Sequence, residues 1–532
     1  GRKMIWEPFS DRYKGVYDIS RNIYKNTAGN KVIFEEINDD LQLTFRYAWN
    51  TSDKYGFVRH SEIVNQNELE IQLEFVDGIQ NVLPYGVDRV LQQTYSNLAD
   101  GYKKNELLED TGIGLYMLSS IIVDKAEPSE ALKTNVVWSL GLDHPTYLIS
   151  NQQLDKFRCG EGMVTEKDIR ATRGAYFVSK VISLMANESS KWSLIADLNK
   201  DAGEIASLRA QLNSNAIGLE AIIQDIDHSS EQLNILLAKS DAFQQTSDEL
   251  SIKRNLSNVL FNIMRGGIFE NNYLIQKSDF VKFAENANKN IVTHRSDFFS
   301  SLNEEIDYKK LISQAEQAGD SGIIRLCYEY LPLSFSRRHG DPSRPWNQFS
   351  INVRNEDGSK SLDYAGNWRD IFQNWEALSL SFPEFIEGMI SKFVNASTAD
   401  GYNPYRITRN GIDWELLEAD DPWSNIGYWG DHQIIYLLKL LEISYNHHPQ
   451  KLEGFLTADQ FSFANIPYRI KSYEEIVKNA TDTIDFDDEL EATIQDRVQH
   501  TGSDGKLIWG KDGNVLTTNF TEKLLITMLA KL

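Results

Sequence analysis

Residues 421–442 read DPWSNIGYWGDHQIIYLLKLLE, in which a turn of aromatic and charged side chains runs directly into an apolar helix. From Ile434 to Leu441 the apolar residues occupy more than one face of the helical period. A helix that is apolar on most sides is typical of one enclosed by other helices. The stretch therefore predicts an inner helix of a helical layer. Asp431 and His432 lie just before its start, where the helix dipole stabilises negative charge.

Three neighbouring stretches share this alternation of polar turns and apolar runs. They are YEYLPLSFSRRHGDPSRPWNQFSINV (328–353), LDYAGNWRDIFQNWEALSLSFPEFIEGMI (362–390) and DGYNPYRITRNGIDWE (400–415). Aromatic rings stack on the C–H faces of sugars, and Asp, Arg, Asn and Gln bond to hydroxyl groups. The turns therefore predict a carbohydrate site. A tryptophan-rich core with satisfied polar residues is the alternative interpretation.

One of these turns carries a resemblance to a known family. GNWRDIFQNW, residues 366–375, resembles the Arg-Asp-x-x-Gln turn of the cellobiose-phosphorylase family, and more closely that of large uncharacterised bacterial relatives. The family consists of inverting enzymes with a six-hairpin helical barrel. The resemblance implies that Arg369 and Asp370 hold the reacting sugar, with Gln373 beside them, although a structural ion pair is the alternative. Further substrate-binding candidates on the same turns are Trp368, Tyr402, Trp429 and His432.

Two other groups of residues bear on catalysis. The segment SRRHGDPSRPWN, 336–347, concentrates charge, and four of its side chains are candidates to bind phosphate: Arg337, Arg338, His339 and Arg344. A salt-bridged structural loop is equally compatible with it. Asp431, with Asp413 after it, is the candidate acid or base for glycoside cleavage. The Trp-Asn-Asp motif that carries the family's proton donor does not occur in the sequence.

The rest of the sequence predicts the domains around this site. Leu41, Leu43, Phe45 and Tyr47 alternate with polar residues, as in a strand with one buried face, so 1–201 predicts an antiparallel β-sandwich domain. From 202 to 327 the apolar period becomes helical, which indicates a helical linker region or, alternatively, a coiled-coil arm. Residues 328–532 are then the α/α barrel segment with the sugar site. In its tail, Ser503-Asp504-Gly505 predicts a hairpin turn.

Composition limits the partners. The 532 residues carry a net charge of −23, which disfavours nucleic acid and anionic membranes and is compatible with a neutral oligosaccharide or glucan. Two cysteines, and no metal-ligand spacing, predict neither disulfides nor a metal. We expect no cofactor beyond inorganic phosphate as a co-substrate. Because no apolar run could span a membrane and no signal peptide is evident, a cytoplasmic location is expected.

These observations predict a β + α multidomain protein with an antiparallel sandwich, a helical linker and a partial α/α six-hairpin toroid. Its expected function is that of a glycoside phosphorylase or inverting glycoside hydrolase acting on β-linked gluco-oligosaccharides. A catalytically incomplete sugar-binding or assembly subunit is the alternative. We expect a second chain or a further C-terminal half, because the sequence has too few barrel helices and ends in the apolar run TEKLLITMLAKL (521–532). Without that part, we expect activity to be weak. A homodimer is also possible.

Overall fold

The structure is a computed structural model and describes residues 4–122, 131–336, 351–355, 358–401, 406–414 and 434–531. Within these ranges, the side chains at positions 368, 369, 527, 530 and 531 are not described. The chain divides into two compact units, Gly1–Asn234 and Ile235–Leu532. The division into 1–201, 202–327 and 328–532 stays a prediction.

The first unit contains two antiparallel sheets that pack face to face. Its strands are β1 (Ile19–Lys25), β2 (Val32–Asn38), β3 (Leu43–Ser52), β4 (Gly56–Asn65), β5 (Ile71–Val82), β6 (Lys103–Leu108), β7 (Ile113–Leu118), β8 (Thr134–Leu140), β9 (Thr146–Leu148), β10 (Asp168–Arg170), β11 (Gly174–Leu184) and β12 (Ser189–Lys200). The large sheet has the order β1-β2-β3-β4-β12-β8-β7-β6-β10, and the small sheet β5-β11-β9. Phe45 and Trp192 of the large sheet share a core with Tyr176 and Val178 of the small one. This is the predicted sandwich.

Two helices cover the outer face of the large sheet, and they are the last two of this unit. The helices that begin in this unit are α1 (Arg89–Thr94), α2 (Ser96–Tyr102), α3 (Leu154–Arg158), α4 (Ala202–Asn213) and α5 (Leu219–Lys239). Asp201 and Glu204 form a capping box that starts α4 one residue after the last strand ends. Ile222 and Ile226 of α5 pack against Trp138 of β8. The apolar face of α5 is thus buried on the sandwich, which disfavours the coiled-coil interpretation.

The second unit is predominantly helical. Its helices are α6 (Glu249–Gly266), α7 (Lys277–Ala287), α8 (Lys289–His294), α9 (Ser296–Ser301), α10 (Tyr308–Ala318), α11 (Ser321–Glu329), α12 (Trp368–Ser381), α13 (Ile386–Asn395), α14 (Ile434–His447), α15 (Pro449–Phe455), α16 (Tyr473–Lys478), α17 (Asp488–Thr501) and α18 (Phe520–Lys531). Short strands pair between them: β13 (Leu274–Gln276) with β14 (Glu305–Asp307), β15 (Ala365–Asn367) with β16 (Arg406–Thr408) and β17 (Gly411–Asp413), and β18 (Tyr468–Ile470) with β19 (Ile484–Phe486). The predicted class, an antiparallel sandwich followed by a predominantly helical region, is confirmed. That these helices form part of an α/α six-hairpin toroid stays a prediction.

The enclosed helix of this unit is α13, all ten residues of which are buried. The prediction that the helix beginning at Ile434 is enclosed was wrong for the chain as described, because Ile434, Ile435 and Leu438 of α14 are exposed. Its opposite face, with Leu437 and Leu440, is buried. Among the described residues, no helix is long and apolar enough to cross a membrane.

Candidate functional site

Three polar side chains form a row across the small sheet β15-β16-β17. Asn367 pairs with Arg406, and Arg406 pairs with Asp413, so the three side chains lie on one face of the sheet. The helix α12 begins directly after Asn367, which places its first turn beside this row. Gly411, with a φ of 137°, follows a two-residue connection and allows β17 to return along β16.

Asp413 is held between two cations. Arg406 Nη2 donates to Asp413 Oδ2 at 2.8 Å, and Lys506 Nζ donates to Asp413 Oδ1 at 2.7 Å and to the Ile412 carbonyl at 2.8 Å. Burial by itself would raise the pKa of Asp413, but the charges and hydrogen bonds of Lys506 and Arg406 outweigh it and keep that pKa below its usual value. The carboxylate therefore stays ionised at neutral pH and suits a hydrogen-bond acceptor better than a proton donor.

An aromatic ring adjoins this ion cluster. Lys506 Nζ lies 5.3 Å from the centre of the Trp414 ring, and the indole nitrogen of Trp414 donates to Glu491 Oε2 at 3.2 Å. Both Asp413 and Trp414 are partly exposed, so the described residues around the cluster do not enclose it fully. A partly exposed carboxylate, two cations and an indole ring are the groups that recognise sugar hydroxyls and C–H faces.

The first turns of α12 separate into a solvent side and a core side. Asp370 is partly buried and Gln373 is exposed, so both can be reached by a ligand. Asn374 is buried and donates to Asn262 Oδ1 at 2.8 Å, and the buried Trp375 donates to the Gly266 carbonyl at 2.8 Å. These last two residues are therefore part of the core and not of a binding surface.

The opposite face of the β16–β17 hairpin encloses a small polar cavity. Ile407 and Ile412 line it together with Glu329, Lys392 and Asp504, and its volume is about 30 Å³. A cavity of that size holds a water molecule but no sugar ring. This enclosed face of the hairpin is therefore structural, and any saccharide site on the hairpin would have to use the face that carries Arg406 and Asp413.

Charged groups around this cavity are paired with one another. Glu329 accepts from Arg325 Nη1 at 3.3 Å and from Asn395 Nδ2 at 2.5 Å. Lys392 donates to the Arg409 carbonyl at 3.1 Å, and burial lowers the pKa of Lys392 to about 8 against the opposing attraction of Glu329. Within the described ranges, no group of three or more His, Cys, Asp or Glu side chains is placed to hold a metal ion.

Most of the sequence-predicted site residues cannot be placed. Asp413, Asp370 and Gln373 are described, and Trp368 and Arg369 open α12 without described side chains. The others lie outside the described residues: Asp431, Tyr402, Trp429, His432, Arg337, Arg338, His339 and Arg344. Their assembly into one site stays a prediction.

Arg406 and Lys506 were missed by reasoning from the sequence. Asn410-Gly411 signals a hairpin here, but a two-residue turn at those positions would set Thr408 opposite Asp413, whereas the structure turns at residues 409–410 and sets Arg406 there. No local signal indicates Lys506, which lies 93 positions from Asp413 along the chain.

Comparison with protein families locates a carbohydrate-enzyme segment in the chain. Residues 269–332 match the glycoside hydrolase family 149 insertion domain 1. This segment contains α7 to α11 and supplies Arg325 and Glu329 to the buried cluster. The match supports a carbohydrate-active protein of the glycoside hydrolase or phosphorylase type. No curated protein matches the chain in sequence.

Solved structures that resemble the chain do so distantly. A protein assigned as a kojibiose phosphorylase, from human microbiome, has a TM-score of 0.27 and 8% identity over 81% of this chain and 44% of its own. A bacterial glucoamylase complexed with acarbose has a TM-score of 0.29 and 10% identity over 82% of this chain and 50% of its own. A galactose mutarotase-like protein from Clostridium acetobutylicum has a TM-score of 0.16 and 11% identity over 35% of this chain and 66% of its own. The chain thus spans half or less of the length of the first two.

Proposed function

We propose that this protein belongs to the machinery of a glycoside phosphorylase or inverting glycoside hydrolase acting on gluco-oligosaccharides. The observation that carries the proposal is the ionised Asp413, held by Arg406 and Lys506 on a partly exposed face beside the start of α12. The family match over residues 269–332 supports the same class. A preference for β-linked substrates rests on the resemblance of residues 366–375 to the cellobiose-phosphorylase turn.

Sugar recognition in this proposal uses donors and acceptors together. A hydroxyl group both donates and accepts, so a fixed carboxylate flanked by fixed cations can engage two neighbouring hydroxyls at once. Asp413 supplies the acceptor, whereas Arg406 and Lys506 supply donors. Asp370 and Gln373 extend the polar surface along the first turns of α12, and Trp414 offers a ring face. Arg369 joins the proposal only through the resemblance of residues 366–375.

Proton donation is assigned to a different carboxylate. Inverting cleavage needs an acid that is protonated when the glycosidic oxygen leaves. Two cations hold Asp413 in its ionised form, which disfavours this role. We therefore propose Asp431, three positions before the first residue of α14, as the donor and Asp413 as a binding residue.

Phosphorolysis is slightly preferred over hydrolysis as the reaction. A phosphorolytic enzyme needs cationic groups for phosphate in place of a second carboxylate, and the sequence offers Arg337, Arg338, His339 and Arg344 within eight consecutive positions. Inorganic phosphate would then be a co-substrate.

A second candidate function is that of a sugar-binding or assembly subunit. Exposed apolar side chains favour it, since Ile434, Ile435 and Leu438 of α14 and Leu525 and Met528 of α18 face solvent. Exposed apolar clusters are typical of interfaces with other chains or segments. In that case the chain binds saccharide but turns it over weakly by itself.

The test incubates the chain with short α-linked and β-linked gluco-oligosaccharides, with and without phosphate. Sugar phosphate, free sugar and calorimetric binding are measured in parallel. Asp413→Asn should weaken saccharide binding by about tenfold or more, because a charged hydrogen bond is lost. Asp482→Asn is the matched control, since Asp482 forms an ion pair with Lys471 at 2.7 Å and has no bond to Asp413, Arg406 or Lys506 among the described residues. Unchanged binding by Asp413→Asn would refute the site, and binding without turnover would favour the subunit.

A further inference from the structure

A large cavity lies between the two sheets of the first unit. Its volume is about 620 Å³. Protein interiors are close-packed and leave few voids larger than a water molecule, so this space is not a packing defect of ordinary size. It falls within the range of roughly 300–1,000 Å³ that is typical of small-ligand sites. Leu43, Tyr47 and Trp49 of β3 line one wall, and Phe75 and Asp77 of β5 line the other.

One carboxylate in this cavity, that of Asp77, is held in place by the described residues through only one of its two oxygens. Asp77 Oδ2 accepts from Arg59 Nη1 at 2.6 Å, from Ser61 Oγ at 2.9 Å and from Trp192 Nε1 at 2.8 Å. The Asp77 side chain is only 10% exposed. No donor from the described residues reaches its other oxygen, Oδ1. Three donors on one oxygen hold the group in place and leave the second as a preformed acceptor.

The neighbouring cation, Arg59, also makes hydrogen bonds to the described residues through only one of its side-chain nitrogens. Arg59 bonds to Asp77 and Ser61 through Nη1 alone, and among the described residues Nε and Nη2 make no hydrogen bond. The guanidinium lies 4.2 Å from the centre of the Tyr47 ring, which fixes its plane. A free acceptor and free donors therefore stand side by side. Because the two charges cancel, this pair favours a neutral ligand over an anion or a cation.

Aromatic rings surround the ion pair. The alternation of β3 directs Phe45, Tyr47 and Trp49 to the same face. Phe45 and Tyr47 pack on other aromatic rings, but Trp49 is only half-buried and lines the cavity. A ring face beside adjacent donors and acceptors is what recognises a sugar, whose C–H face stacks while its hydroxyls bond.

We propose that this inter-sheet cavity is a second, non-catalytic saccharide site for a short neutral glucan. It rests on the proposed function for its ligand class. Asp77 Oδ1 accepts from one hydroxyl, Arg59 donates to the neighbouring hydroxyl, and Trp49 covers the sugar ring. This site would bind a glucan chain in the first unit. The Asp413 cluster belongs to the second unit.

Hydrogen exchange of the full chain, read by mass spectrometry, tests the proposal with short gluco-oligosaccharides as probes. Binding in the cavity should slow exchange in peptides that cover residues 43–52 and 71–82. Binding at the Asp413 cluster should slow exchange in peptides that cover residues 365–367 and 406–413. The two sites are thus read separately, and failure of either proposal leaves the other measurable. Saturating saccharide without protection of β3 and β5 would overturn the cavity site.

Two variants sharpen the test. Trp49→Ala should weaken binding at the cavity by about tenfold, as expected for the loss of one ring contact, and should leave protection at residues 406–413 unchanged. Tyr85→Ala is the matched control, because Tyr85 is an exposed aromatic residue of the same unit that does not line the cavity. Asp77→Asn should also lose affinity. Should that variant fail to fold, Trp49→Ala still decides, and unchanged affinity in it would overturn the proposal.

Discussion

Arg325 and Asp504 form an ion pair that is closed off from water, although the two residues lie 179 positions apart. Their side chains are 0% and 4% exposed. Asn288 Nδ2 donates to the same Asp504 oxygen at 2.9 Å, and Arg325 also contacts Glu329. The pair therefore ties α11 to the 3₁₀ helix after α17, and Asn288 adds the junction between α7 and α8. Both α11 and this junction lie in the family-matched segment.

Removing one partner of this pair should destabilise the second unit strongly. Asp504→Asn leaves the buried guanidinium of Arg325 short of negative charge, and the expected loss is about 3–5 kcal/mol of unfolding free energy. Urea unfolding measures it. Asp496→Asn is the control, because Asp496 is 73% exposed on α17 and should change stability by less than about 0.5 kcal/mol. Equal effects of the two variants would show that the buried pair is not stabilising.

A close approach of two helices depends on one glycine. A Cβ built on Gly388 of α13 would lie 2.6 Å from the carbonyl oxygen of Tyr328 in α11, and 3.0 Å from Leu331. We expect Gly388→Ala to destabilise the protein by about 1–3 kcal/mol, in spite of the better helix propensity of alanine. Thermal unfolding would show the loss.

The matched control is another helical glycine. A Cβ added to Gly454 of α15 would meet no atom within 4 Å in the chain as described. Gly454→Ala should therefore be neutral or should stabilise by up to about 1 kcal/mol. A stabilising Gly388→Ala would mean that α11 and α13 can separate without cost.

The features that the sequence predicted well are determined by residues close together in the chain. The alternation at Leu43, Phe45 and Tyr47 depends on neighbouring residues, and so does the change of period near Asp201, where a capping box starts α4. These features were predictable because the hydrophobic periods of strands and helices can be recognised within short windows of sequence.

What it missed depends on distant contacts. Ser503-Asp504-Gly505 was predicted as a hairpin turn, but the structure has a 3₁₀ helix at Ser503–Lys506, and Asp504 turns inward to Arg325. Asp413 was singled out from the sequence, whereas its partner Lys506 was not. The exposure of Ile434 was missed for the same reason, since composition predicts that a helix can be buried but not what covers it.

A buried lysine should make stability depend on pH in the alkaline range. Burial lowers the pKa of Lys392 to about 8 in the folded chain, from 10.5. Between these two values the unfolded chain binds the proton more tightly, so the free energy of unfolding rises with pH. Below pH 8 both states hold the proton and the full penalty, about 3 kcal/mol, is present.

Lys392→Met removes this titration. We expect the difference in unfolding free energy between wild type and variant to change by about 3 kcal/mol in favour of wild type as the pH rises through this range. Denaturant unfolding at both ends of the range measures the change. Lys289→Met, at an exposed position on α8, serves as the control and should follow wild type at every pH. Parallel curves for wild type and Lys392→Met would contradict the assignment.

The last prediction concerns the ion cluster around Asp413. Lys506 helps to hold the pKa of Asp413 below its usual value, so Lys506→Met should raise that pKa. If the ionised carboxylate binds sugar, saccharide affinity in wild type is retained down to acidic pH and falls only as Asp413 takes up a proton. In Lys506→Met the same fall should begin at a higher pH, because protonation begins there. Calorimetric binding of a gluco-oligosaccharide across the acidic range measures both curves, with Lys511→Met, an exposed lysine of the same tail, as control. If saccharide affinity falls at the same pH in Lys506→Met and in wild type, Asp413 does not belong to the binding site. An affinity that instead increases on protonation would make Asp413 a hydrogen-bond donor and reopen its role as the acid.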